Sequence, residues 1–178
     1  MRTDPSFEPL LTDRLRIRRS IPADADAISA YRSDPTVHVH QGWADTGVDQ
    51  VRADIEEMVA IEPGAGGGWV QFSVEESAAG HLIGDIGLSP ADDEPGVIRV
   101  GYTMAPGWQG RGYATEAVAA LVDYAFSVLE ADVVRAYADA DNIASIRVME
   151  KVGMQLIETF DGEEDGERWV GVRYERRR

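Results

Sequence analysis

Ten consecutive residues, Trp108-Gln109-Gly110-Arg111-Gly112-Tyr113-Ala114-Thr115-Glu116-Ala117, have the composition of a loop that grips a phosphate. Two glycines one residue apart let the main chain turn tightly and come close to an anion. The apolar-striped segment that follows, residues 114–129, predicts a helix. The first N–H groups of a helix lack partners of their own and face outward at the positive end of its dipole. Residues 97–104, just upstream, read as a strand. Strand, glycine loop and helix in this order suit a phosphorylated cofactor. The same glycines would also serve a plain turn before a helix, so the loop carries weight only in company.

Composition bounds the setting. A chain of 178 residues is most simply one domain, residues 1–178, with a sizeable core. An apolar share of 44% and a charged share of 28% place it among ordinary globular proteins. The formal net charge of -15 argues against nucleic acid as a partner, because phosphate is repelled, and favours cations such as protonated amines. Acidity also serves plain solubility. The closing Arg176-Arg177-Arg178 reads as a frayed, solvated tail. There is no cysteine, so neither disulfides nor thiolate metal ligands are available, and no metal site is expected. Histidine occurs only at His38, His40 and His81. No run approaches the roughly 20 apolar residues of a membrane-spanning helix. The opening Met1-Arg2-Thr3-Asp4-Pro5 lacks the apolar core of a secretory signal, and with the missing cysteines this suggests the cytoplasm.

The elements that must position the loop follow from periodicity. Residues 15–19 alternate and predict a strand. Pro22, with Asp24 and Asp26, opens a helix that ends near Arg32, before Asp34-Pro35. Residues 37–46 read as a loop and 48–61 as a second helix, with Val51, Ile55, Met58 and Val59 on one face. Pro63 to Gly68 is a breaker. Residues 69–75 and 81–88 predict two strands joined by a turn, and 97–104 a central one. Residues 133–138 predict a short strand. Residues 142–152 predict a helix capped by Asn142 and ended by Gly153. Two late strands, 154–160 and 168–175, flank an acidic turn at 161–166. An antiparallel front half and a strand-helix-strand unit behind it indicate α+β or α/β layers around one sheet.

The ordered set of motifs resembles the GNAT superfamily of N-acetyltransferases. Gln109-Gly110-Arg111-Gly112-Tyr113-Ala114 fits its Gln/Arg-x-x-Gly-x-Gly/Ala loop, and residues 142–154 resemble its second cofactor helix and the strand after it. More narrowly the chain resembles the RimJ/RimL branch, which includes ribosomal-protein N-terminal acetyltransferases. Residues 11–18, Asp34-Pro35, 82–88, Gly101-Tyr102-Thr103-Met104 and 116–126 extend the likeness over nearly the whole chain. It implies a mixed central sheet flanked by helices and acetyl-CoA as co-substrate. The diphosphate would be held by main-chain N–H groups between Gln109 and Ala114, with help from Arg111 and Thr115. The pantetheine arm would pair with the exposed backbone of Tyr102, Thr103 and Met104. Asn142 resembles the asparagine that bonds this arm, beside its reading as a helix cap.

Moving an acetyl group to an amine requires a neutral amine, a polarised thioester carbonyl and a stabilised leaving thiolate. Many members of the superfamily protonate the thiolate with a tyrosine; the matching position here is Met149, which has no proton to give. The RimL-like branch implies a serine, here Ser145, as the donor. The branch's glutamate upstream of Gly-Tyr is replaced by Arg99. That leaves Asp85, Glu75, His38 and His40, or water, to accept the amine's proton. Trp43, with Asp45 nearby, lies in the region expected to form the acceptor wall.

The expected function is transfer of acetyl from acetyl-CoA to a primary amine, either a protein N-terminus or a cationic small molecule, by direct attack in a ternary complex. A non-catalytic acyl-CoA-binding module and transfer of a longer acyl group such as succinyl, with Arg99 as its cation, are the alternatives. Neither nucleic acid nor membrane is an expected partner. Apolar strand edges could pair two copies into a homodimer.

Overall fold

The computed structural model describes residues 1–41, 46–164 and 167–178. Its strands are β1 (Leu10–Leu11), β2 (Leu15–Arg19), β3 (Val70–Glu76), β4 (His81–Pro90), β5 (Val97–Met104), β6 (Val133–Asp139), β7 (Gln155–Glu164) and β8 (Glu167–Arg177). They form one mixed sheet in the order β1-β2-β3-β4-β5-β6-β8-β7. Every neighbouring pair is antiparallel except β5 and β6, which run parallel. The helices are α1 (Ala25–Arg32), α2 (Pro35–His38), α3 (Val48–Val59), α4 (Tyr113–Ser127) and α5 (Ile143–Lys151). A parallel pair needs a crossover, and α4 supplies it.

Alternation along the strands sends their side chains to two unlike faces. Phe72, Val74, Ile86, Leu88, Ile98, Val100 and Val134 point to the face packed by α4 and α5, where Leu121, Val122 and Met149 close the main core. Burying a side chain of this size contributes roughly 1.5–3 kcal/mol. The intervening residues, Gln71, Ser73, Asp85 and Thr103, point the other way, towards α1 and α3, and are also buried. There the helices keep only a small apolar cluster of Ala25, Ile28, Tyr31, Val51 and Ile55.

Buried carboxylates need partners. Asp24 accepts from Arg18 at 2.7 and 2.8 Å, from Ser73 Oγ at 2.8 Å and from the Ile21 N–H at 3.0 Å. Asp85 accepts from the Tyr31 hydroxyl, from Arg32 at 2.9 Å and from Gln71 at 2.8 Å. Burial and the neighbouring Asp85 charge hold the Tyr31 phenol well above its ordinary range, so it stays a donor.

Three sequence expectations need correction. Residues 37–46 are not all loop. Asp34 accepts from the Thr36 N–H at 2.9 Å, and Pro35 follows, so the pair that ends α1 also starts the short α2. The terminal arginines are not frayed. Arg177 pairs with Val133 inside β8, Arg176 with Val134, and the Arg178 N–H donates to Asp132 O at 3.1 Å. Residues 161–164 are not part of a turn, because β7 runs to Glu164, and β8 already starts at Glu167. Among the described residues no helix is long and apolar enough to cross a membrane.

Burial raises the Asp24 pKa, but bonds from Arg18, the Ile21 N–H and Ser73 outweigh it and hold the carboxyl below its ordinary 3.8. A lowered folded-state pKa stabilises the fold fully above the ordinary value. The contribution disappears as pH falls through the lower, folded-state value. Asp24→Asn is expected to cost about 3 kcal/mol at neutral pH, since it removes the carboxylate that takes two of Arg18's bonds and leaves Glu75 as its remaining charged partner. Urea unfolding at a series of pH values should show the gap between variant and parent closing only at acidic pH.

Candidate active site

Pairing between β5 and β6 lasts for three positions, Val97↔Val133, Ile98↔Val134 and Arg99↔Arg135. Beyond them β5 continues to Met104 against β4, and β6 to Asp139 against β8. The strands therefore part like a V. A cleft of about 630 Å³ opens between them, reaching from the end of α2 to the start of α4 and one side of α5. Of the residues singled out from sequence, Tyr102, Thr103, Met104, Gln109, Gly110, Gly112, Tyr113, Ala114, Thr115, Asn142 and Ser145 line this one cleft. Arg111 does not; its guanidinium lies over the rings of Trp108, 4.9 Å away, and Tyr113, 5.4 Å away.

The glycine loop is shaped by backbone conformation. Gly110 has φ +70 and Gly112, the N-cap of α4, has φ +83, a region that side chains disfavour. The first bond closed by α4 runs from the Glu116 N–H to Gly112 O at 3.1 Å. Among the described residues, the N–H groups of 110–115 have no protein acceptor. Gln109 differs: its N–H donates to Pro106 O at 3.3 Å, and its side chain donates to Met104 O at 3.0 Å, tying the loop to the end of β5. A buttress stands behind the loop. Arg14 donates to the Arg111 carbonyl at 3.2 Å, stacks 4.4 Å over Tyr113 and donates through Nε to Glu116 at 2.7 Å. Glu116 also accepts from the Thr12 hydroxyl at 2.5 Å and the Arg14 N–H at 3.0 Å.

On the opposite wall, Asn142 Oδ1 caps α5 by accepting from the Ser145 N–H at 3.1 Å. Among the described residues its NH₂ group has no acceptor. The Ser145 hydroxyl lies 2.7 Å from the Tyr102 phenol, which also reaches the Ser145 carbonyl at 2.9 Å. Burial pushes the Tyr102 pKa up to about 12, against the pull of its Ser145 bond. The phenol therefore stays protonated at ordinary pH. Met149 is fully buried in the core and has no part in the wall. Trp108, the first of the ten loop residues, also lines the cleft, as do Arg147 and Lys151, which were missed from sequence. The four-residue spacing of Arg147 and Lys151, which puts both on one helix face, is the signal that could have found them.

The four base candidates separate. Glu75 is engaged by Arg16 at 2.8 Å and Arg18 at 2.7 Å. Asp85 is locked beneath α1, and His38 points to solvent. Only His40 among them lines the cleft, with Nδ1 3.1 Å from Asp139 and 3.9 Å from Asp141. These three side chains bring possible ligand atoms within 4.8 Å of one another. Arg99 is turned away from the cleft, held by Ser89 at 3.1 Å and Pro90 O at 3.2 Å, so it is no cation for a longer acyl chain there. Trp43 and Asp45 lie outside the described residues. On the face that carries Asp139, a ladder of rings is partly open: Tyr137, Phe160 and Trp169 have centroids 6.1 and 5.6 Å apart. Gly162 and Gly171 make room for it, since a Cβ at either would overlap the Trp169 or Phe160 ring.

Comparison with known proteins places this geometry. The profile of the acetyltransferase (GNAT) domain matches residues 14–155. The uncharacterized N-acetyltransferase p20 of Bacillus licheniformis is 32% identical over 153 residues, covering 84% of this chain and 83% of its own. A GNAT-family acetyltransferase structure from Bacillus anthracis superposes with a TM-score of 0.83 at 25% identity, covering 96% of this chain and 98% of that one. RimL, the ribosomal L7/L12 alpha-N-protein acetyltransferase, in complex with coenzyme A, shares the fold with a TM-score of 0.83 at 15% identity, covering 96% and 98%.

Arg14→Leu removes the buttress and is expected to cost about 1 kcal/mol, below the usual worth of a charged hydrogen bond because the guanidinium is partly exposed. Hydrogen exchange at the Glu116 amide, the first closed bond of α4, should speed up more than exchange in β4.

Proposed function

This chain belongs to the GNAT acetyltransferase family, and from that premise we propose that it moves the acetyl group of acetyl-CoA to a cationic primary amine by direct attack in a ternary complex. The observation that carries this reading is the parted sheet, with unbonded loop amides at one end of the cleft and Ser145 on its wall. The amides of residues 110–114 hold the diphosphate, with the positive end of α4 behind them. Arg111, Arg147 and Lys151 add positive charge around this end, and Thr115 adds a hydroxyl. The pantetheine arm extends along Tyr102, Thr103 and Met104 as an added strand would. The Asn142 NH₂ group, left over from the helix cap, donates to it.

Ser145 serves the leaving group. The Tyr102 phenol donates to the Ser145 carbonyl, so the serine proton can turn from the phenol oxygen to the developing thiolate. A serine hydroxyl is too weak an acid to ionise there; it acts as a hydrogen-bond donor. A main-chain N–H of the 102–104 segment polarises the thioester carbonyl.

The loop and α5 occupy one face of the sheet, so the amine approaches from the other. That face carries Asp139 and the rings of Tyr137, Phe160 and Trp169. Carboxylate and aromatic faces both favour a cation. This supports a positively charged acceptor over a neutral or acidic one.

Two measurements test the reading. Calorimetry should detect acetyl-CoA binding that weakens about fivefold to tenfold in Gly112→Ala, the cost of a side chain in the left-handed region. Thiol release against a panel of amines should be fastest with polycationic ones. In that assay Ser145→Ala should lower kcat about 10- to 100-fold with KM for acetyl-CoA unchanged, the worth of one hydrogen bond to a charged group. Acetyl-CoA binding without thiol release for any amine sinks the transferase reading and leaves a binding module.

A further inference from the structure

The two arms of the V are bridged at their far ends by one dipeptide. Thr103 and Asp139 each stand four residues beyond the last parallel pair, Arg99↔Arg135, and so occupy matching positions on β5 and β6. Gln41 Nε2 donates to Thr103 Oγ1 at 3.4 Å, while His40 Nδ1 sits 3.1 Å from Asp139 Oδ2. His40-Gln41, just past α2, thus straddles the opening through which the amine must pass. We propose that His40, oriented by Asp139, is the general base that accepts the acceptor ammonium's proton; this rests on the acetyl-transfer reading above.

A carboxylate only accepts hydrogen bonds, so the proton between the two belongs to His40 Nδ1. That leaves the Nε2 lone pair free for the substrate. The imidazolium formed on proton transfer stands beside Asp139 and Asp141, which offset its charge. Among the described residues, the remaining ionisable side chains lining the cleft are Tyr102 on β5, Tyr113 on α4, and Arg147 and Lys151 on α5.

The ammonium nitrogen loses two protons in all. The first passes to Nε2 and from there to solvent, freeing the nitrogen lone pair. That pair forms the new C–N bond as the C–S bond breaks and its electrons stay on sulfur. The second proton, carried by the nitrogen after attack, ends on the coenzyme A sulfur, where Ser145 stands. The products are the acetamide, the thiol and one released proton.

The test is the pH dependence of kcat/KM in a thiol-release assay on the full chain. The parent should show an acidic limb of unit slope. His40→Ala should lose that limb and fall about 10²- to 10⁴-fold at neutral pH. Calorimetry should find its acetyl-CoA affinity unchanged, which shows the cleft intact. Added imidazole should restore part of its rate, a response that a merely structural histidine would not give. Asp139→Asn should keep the limb and lose roughly tenfold or more in kcat, because a carboxamide can hold the ring in either tautomer. A His40→Ala enzyme that turns over as fast as the parent, with the limb retained, overturns the base and leaves acetyl transfer standing. A parent that binds acetyl-CoA but releases no thiol overturns the transferase reading instead. Loss of parent activity in EDTA, restored by a divalent cation, would assign His40, Asp139 and Asp141 to a metal and also overturn the base.

Discussion

A parallel pairing that stops after three positions is the constraint on which the site depends. Neither arm can swing back to close the gap, because each is committed on its other edge. Thr103 and Tyr102 are paired with Asp85 and Ile86 of β4, while Tyr137 and Asp139 are paired with Arg173 and Gly171 of β8. Unpaired backbone N–H and C=O groups are costly if buried dry. The parted strands keep theirs along a cleft, where an extended ligand can use them. Side chains then fix the width of the opening. Tyr102 reaches α5 through Ser145, and the His40-Gln41 pair spans the far end.

The sheet also divides the labour of charge. Its α4/α5 face is apolar beneath the helices and ends in a loop of donors with Arg147 and Lys151 close by. Its other face is built on ionic pairs. Asp85 is a base candidate and Asp24 a helix-opening acid in the sequence, but here both are buried and structural, satisfied by Arg18, Ser73, Tyr31, Arg32 and Gln71. Each holds a helix or turn to a strand whose inward residues are polar. Further along that face, Arg135 is occupied by Glu94 and by Glu175 at 2.8 Å. Asp139 is different in kind, since its partner is a histidine rather than an arginine.

The fold was largely legible because its signals are local. The β-rich run 97–104, stopped by Pro106-Gly107, matches β5 at both ends, and the three-and-four spacing in 114–129 places α4 within two residues. The glycine loop and the Asn142 cap were legible for the same reason. The misreadings also have causes. Asp34-Pro35 is both a stop and a start signal, and only the stop was weighed. The arginine tail looked solvated because its composition is polar, yet β6 offers it a backbone edge, and Asp123 of α4 and Glu175 of β8 itself lie within reach of its guanidinium groups. Arg147 and Lys151 went unremarked because a charged helix face is ordinary until something is shown opposite it.

Residue order alone determined most of the elements and the family: the elements rest on spacing within short stretches, and the family on an ordered set of motifs that runs over nearly the whole chain. It also left four side chains, or water, as candidates for the proton acceptor. Choosing among them belonged to the tertiary structure. His40 and Asp139 are 99 residues apart and meet only because the sheet opens between β5 and β6. The same long-range packing gave Asp85 to α1, turned Arg99 away from the cleft and brought Tyr102 against Ser145. Spacing along a chain can fix which groups are present; which of them face the same water, and which are already spent on one another, is decided by contacts between distant segments.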